Sequence, residues 1–158
     1  MAEHITNEQF SQTVRALIEE DFEKVEGVYL DRGTSLFETL DKITAEQASR
    51  PLFDGGTTIA GHVYHTRFYL QVTLDYLEGR LKSKVDWRES WIITARNHSE
   101  WNELRGQLKD EYKTVLDYLA GINDWTRERM FGAMGIMAHT AYHLGAIRQM
   151  ATLVAKES

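Results

Sequence analysis

Two histidines one helical turn apart, His139 and His143, interrupt the stretch Met137 to Met150 at positions where packing alone would prefer leucine. Four residues of α-helix rise about 6 Å at nearly constant azimuth, so both imidazoles can turn toward one point. The stripe Ile136, His139, His143, Ile147, Met150, Val154 has the period of a helix face turned into a bundle core. An imidazole pair on such a face is half of a metal site. The other half must come from another helix, and His65 or His62 can supply it. Three residues apart, these two share a helical face, and the residues alone do not choose between them.

Three neutral imidazoles with an open fourth position are the ligand set of a catalytic zinc centre, where bound water ionises near pH 7. Imidazole suits several divalent ions, so ligand type leaves nickel, iron and manganese open as alternatives. The competing explanation for each histidine is a core residue hydrogen-bonded to a neighbour. Three on two helices are harder to account for in that way, because each buried imidazole needs partners for both nitrogens. His4 and His98, at a terminus and beside a helix cap, are assigned no site. There is no cysteine, which excludes disulfides, thiolate ligands and a cysteine nucleophile; thiol chemistry would need a low-molecular-weight thiol from outside. Thr140 follows His139 where the H-E-x-x-H protease motif needs glutamate, and no nucleophile elbow, Walker loop or dinucleotide-binding glycine motif occurs.

Long helices must hold these residues. One proline in 158 residues, against many Ala, Leu, Glu, Gln, Lys and Arg, predicts a mostly helical chain, and the length suits a single domain over 1–158. Thr6 can cap a first helix whose outer face is the acidic run Glu19 to Glu26, and helical period continues, broken or as a second helix, to Lys42. Thr44 with Gln47 reads as a capping box for a single turn that Pro51 ends. Thr57 or Thr58 caps a long helix to about Glu78 with the stripe Ile59, His62, Tyr69, Val72, Tyr76 and with His65 beside it; Gly79 is its C-cap. Between Arg80 and His98 no helical stripe survives, as in a crossover that lets its flanking helices run parallel. Ser99 then caps a helix with Trp101, Leu104, Leu108, Tyr112, Val115, Leu119 and Ile122 on one face. The last helix begins near Glu128 or Gly132 and ends at Lys156.

Thr58-Ile-Ala-Gly-His-Val-Tyr-His65, followed by a long helix, and the terminal His139-x-x-x-His143-x-Gly-x-Ile-Arg-Gln resemble the DinB/YfiT-like superfamily of four-helix bundles. The likeness runs from about Leu36 to Thr152 and includes Asp86-Trp87 in the crossover. It implies an all-α four-helix bundle with a long crossover between helices two and three, and His65, His139 and His143 as ligands of a divalent metal. His62 becomes a candidate for the shell around the ligands or for acid/base work. Gly55-Gly56-Thr57 stands where the superfamily often has a tryptophan, which bears on the shape of the pocket mouth. Members with an activity use the metal to activate a thiol or water, as transferases, isomerases or hydrolases.

The reading is a small metal-dependent enzyme, a thiol-dependent transferase or a hydrolase, that takes a small-molecule substrate and holds zinc or nickel, with iron or manganese as alternatives. The competing class is a non-enzymatic metal-binding or stress-response module with a structural histidine cluster. A third is a bundle working through a dimer surface, with Trp87, Trp91 and the first helix as its exposed face, and a homodimer is expected. A net charge of −6 with dispersed cations argues against nucleic acid. No apolar run approaches the ~18 residues of a membrane span, and the N-terminus lacks the pattern of a signal peptide, so a cytoplasmic location is expected.

Overall fold

The structure, a computed structural model, describes residues 4–92 and 97–156. Among them are helices α1 (Asn7–Phe22), α2 (Leu36–Leu40), α3 (Ala45–Ser49), α4 (Ile59–Leu77), α5 (His98–Ala120) and α6 (Arg127–Lys156), a 3-10 turn over Trp87–Trp91, and no strand. The four long helices form the expected all-α bundle. Their starts follow local chemistry. Thr6 accepts the Gln9 N–H at 3.1 Å while the Gln9 side chain accepts the Thr6 N–H at 2.9 Å, and Thr44 and Gln47 repeat that box. Thr58, not Thr57, caps α4 by accepting the Gly61 N–H at 3.0 Å. At α5 the cap is Asn97 rather than Ser99: its side chain accepts the Glu100 N–H, so the helix starts one residue before the expected cap. Gly79 ends α4 at φ 69°, a left-handed conformation that a side chain would strain.

Between Asn7 and Lys42 the chain makes two helices, α1 and α2, separated by a loop. The run Glu19 to Glu26 is only in part the solvated face expected of it: Glu23 and Glu26 are exposed, but the two carboxylates between Glu19 and Phe22 are not. Glu20 and Asp21 have no exposed surface. Residues 28–30 fold back over Glu20 in one layer, and its carboxylate accepts the N–H groups of Val28, Tyr29 and Leu30 at 2.8–3.1 Å. Burial alone would raise its pKa, but those donors outweigh burial and hold it below the ordinary value. Burial pushes the Asp21 carboxyl up to about 7, against the nearby Tyr29 hydroxyl, which favours the charged form, and with the Glu20 charge acting in the same direction as burial. The carboxylates were legible as charges; the loop that covers them was not.

α4 buries two faces because it packs along both α5 and α6, while α1 closes the other side against the same pair. Val63, Leu70 and Leu74 of α4 are core residues, and His62, His65 and Tyr69 turn to α6. The single stripe expected on α4 therefore breaks at its end: Val72 is only half-buried and Tyr76 is 60% exposed. α5 keeps its expected face, with Trp101, Leu108 and Val115 at 1% exposure or less; burying each such side chain is worth about 1.5–3 kcal/mol. α4 and α6 run antiparallel and close, since a Cβ at Gly132 would sit 2.7 Å from Leu77 Cδ1 and one at Gly135 2.8 Å from the Tyr69 hydroxyl. α3 packs against α4, α5 and α6, and Trp101 in the first turn of α5 donates to the Ile43 carbonyl at that end of the bundle. α4 and α5 thus start together and run parallel, as the long crossover requires. Among the described residues no helix is long and apolar enough to cross a membrane.

Removing the acceptor of three loop N–H groups should cost far more than removing the partly exposed charge one residue away, which pairs with Arg15 across a helical turn. Glu20→Ala is expected to lower unfolding stability by about 1.5–3 kcal/mol, and Glu19→Ala by under ~1 kcal/mol, in urea denaturation. Equal losses would contradict the capping role of Glu20.

Candidate metal centre

His65 on α4 and His139 and His143 on α6 offer nitrogen atoms that all lie within 4.8 Å of one another. The His139 Nε2 is 3.1 Å from His65 Nε2 and 3.2 Å from His143 Nε2. Ligands about 2.0–2.1 Å from a tetrahedral ion are about 3.3 Å apart, and cis ligands of an octahedral ion about 3.0 Å, so these separations fit either geometry. The antiparallel α4–α6 contact produces the convergence: His62 meets His143, and His65 meets His139.

The hydrogen bonds beyond the cluster assign the tautomers. The Ser90 hydroxyl donates to the Trp87 carbonyl at 2.6 Å, so its 2.6 Å contact with His65 Nδ1 must be one that it accepts. His65 is therefore protonated on Nδ1, and its Nε2 presents a lone pair to the cluster. At the other end, His62 lies with Nδ1 2.8 Å from His143 Nδ1 and Nε2 3.1 Å from the Thr57 hydroxyl. If His143 donates from Nδ1 and His62 from Nε2, this relay leaves His143 Nε2 as a second lone pair. His139 Nε2 has at most one proton to share between two lone pairs, a mismatch that a divalent cation would resolve. His139 differs from the others because its Nδ1 is buried without a partner in the described residues. Its ring is held instead by Tyr69, stacked at 3.7 Å. Trp91 stacks on His65 at 4.1 Å.

The donor set is neutral. Burial pushes His65 and His139 down to about 4 and His143 down to about 3, each further depressed by neighbouring imidazoles, and burial lowers His62 too. Imidazoles must be neutral to bind a metal, and at pH 7 these are.

His65, His139 and His143 are thus brought together, and His62 stands behind His143 rather than inside the cluster. His4 is exposed, and His98 lies at the start of α5, bonded to Asn102 at 2.9 Å. Sequence reasoning missed Ser90, Tyr69 and Thr57. Ser90 could have been flagged as a lone hydroxyl between Trp87 and Trp91 in a segment without helical period; the Tyr69–His139 stack had no comparable signal. Tyr69 and Trp87 also line a cavity of about 740 Å³ beside the cluster. A family model described as the DinB superfamily matches residues 29–147. No curated protein and no solved structure gives a match.

Lowered folded-state values put a stability term on one side of the pH scale. Above about 6.5 each histidine is neutral folded or unfolded and the contribution is complete; it is lost as pH falls through 4, where the unfolded chain already binds the protons. Proton NMR titration of the metal-free protein is expected to find His65, His139 and His143 uncharged from pH 8 to 5.5. A midpoint near 6.5 for any of the three would contradict the buried, mutually packed arrangement.

Proposed function

The chain belongs to the DinB superfamily, and from that premise we propose that it is a small metal-dependent enzyme in which His65, His139 and His143 bind one divalent ion. The observation that carries this reading is the convergence of three Nε2 atoms whose outer nitrogens are tied, in two of three cases, to further side chains. A divalent ion bound there would supply a nucleophile at neutral pH by lowering the pKa of a bound water or thiol. Zinc or nickel suits three imidazoles best, with iron or manganese as alternatives.

The residues of the chain have distinct tasks in this reading. Ser90 holds the proton on His65 Nδ1 and so keeps Nε2 available. His62 plays the same part for His143, passing orientation back to Thr57. Trp91 and Tyr69 cover the imidazole faces and exclude water from them. Half-buried His139, the most open of the three, marks the side from which a small substrate reaches the cluster. With no cysteine in the chain, a transferred thiol must be a low-molecular-weight one. The aromatic cover on two sides also favours a second reading, a structural cluster in a non-enzymatic module.

Metal analysis separates these ideas from a merely packed core. Wild type is expected to bind one divalent ion per chain, with His65→Ala and His139→Ala losing it and Ser90→Ala binding about 10–100-fold more weakly. Wild type without stoichiometric metal, or ligand variants that bind as well as wild type, would end the proposal. A screen of the loaded protein with low-molecular-weight thiols and small electrophiles is expected to show turnover that disappears in His139→Ala. Metal binding without thiol-dependent or hydrolytic turnover would favour the structural module.

A further inference from the structure

The cavity beside the cluster has a chemical character of its own. Its volume of about 740 Å³ falls in the range of about 300–1,000 Å³ that takes small organic ligands. Four aromatic side chains, Tyr69, Tyr76, Trp87 and Phe131, line it. Tyr76 and Phe131 are 60% and 61% exposed, so large rings face solvent at a concave surface. Such rings offer stacking faces to a flat apolar group.

Its charged lining is selective too. Lys84 and Arg127 stand there with Glu128. Arg80 and Arg88 nearby are engaged, the first by Asp75 and Glu78 and the second by Asp86. Neither Lys84 nor Arg127 forms an ion pair with a described residue. The Arg127 guanidinium lies 5.3 Å over the Phe131 ring, a contact that holds its planar fork at the cavity. Two cations against one carboxylate leave a single positive charge, which matches a monoanion better than a phosphate dianion.

We propose that this cavity binds an aromatic monocarboxylate, its ring among the four aromatic side chains and its carboxylate on Arg127 and Lys84. That the acid is the substrate of the neighbouring cluster rests on the metal reading above; the binding does not. The connection is direct, because Tyr69 stacks on His139 and Trp87 lies 6.3 Å from the His65 ring. A ligand touching either is one side chain from an imidazole of the cluster.

Isothermal calorimetry of the full chain, metal-free and metal-loaded, with 1-naphthaleneacetate, its neutral amide and 1-naphthyl phosphate tests the proposal. The acid is expected to bind at least about tenfold more tightly than the amide, and no more weakly than the phosphate. Arg127→Gln and Lys84→Gln, both at exposed positions, should each weaken the acid about five- to tenfold and leave the amide unchanged, whereas Phe131→Ala should weaken both. Absence of saturable acid binding, equal affinity for acid and amide, or charge variants without effect would overturn it, and tighter binding of the phosphate would overturn the carboxylate assignment. Acid binding by a protein that takes up no metal would support the cavity and remove the metal reading. Metal uptake without acid binding would do the reverse.

Discussion

The α4–α6 contact holds the candidate centre in place. His65 reaches His139, and His62 reaches His143, only while the two helices run antiparallel at close range. Gly132 and Gly135 make that approach possible, since a Cβ at either would collide with Leu77 or Tyr69. The second collision reaches into the site, because the Tyr69 ring is the one stacked on His139. Backbone spacing, aromatic packing and ligand orientation are therefore one constraint. Gly135, one helical turn before His139, helps set where that imidazole plane lies.

Desolvation acts on this contact in a useful direction. Burying a cationic imidazole is unfavourable, and packing several together adds mutual repulsion, so the layer stays neutral far below the usual histidine pKa. Neutral imidazoles need partners, however. Ser90 meets that need at one end, and Thr57 through His62 at the other. Both supports come from outside the long helices, Ser90 from the 3-10 turn and Thr57 from the residue before the α4 cap. The crossover thus does more than return the chain to the start of α5.

What was legible in the sequence and what was not follow from the range of the interactions. The spacing of Trp101, Leu104, Leu108 and Tyr112 announced the buried face of α5, because helical period is a local property. The same holds for the capping boxes and for the His139–His143 pair. Choosing between His62 and His65 required knowing which side of α4 meets α6, and two histidines three residues apart point close to the same direction; resemblance to the superfamily favoured His65. Ser90 and Glu20 escaped because their roles depend on loops whose paths leave no periodic trace. Glu20 read as one solvated charge in an acidic run, yet three N–H groups eight to ten residues ahead converge on it.

The charge balance of the cluster bears on which kind of site it is. A structural zinc site is usually closed by four protein ligands, with thiolates offsetting the charge of the ion. Here the convergent group among the described residues is three histidines, and the chain has no cysteine. No carboxylate contributes to the lowered pKa of any of the four histidines, whose perturbing neighbours are burial and one another. Such a shell supplies no negative charge, so a divalent ion within it would keep its full charge in a poorly solvated place. An anionic fourth ligand is then strongly favoured, which is the condition for ionising a water or a thiol at neutral pH. Three neutral donors among the described residues, with no thiolate in the chain, are therefore the kind of shell that the proposed activation of a water or thiol would use.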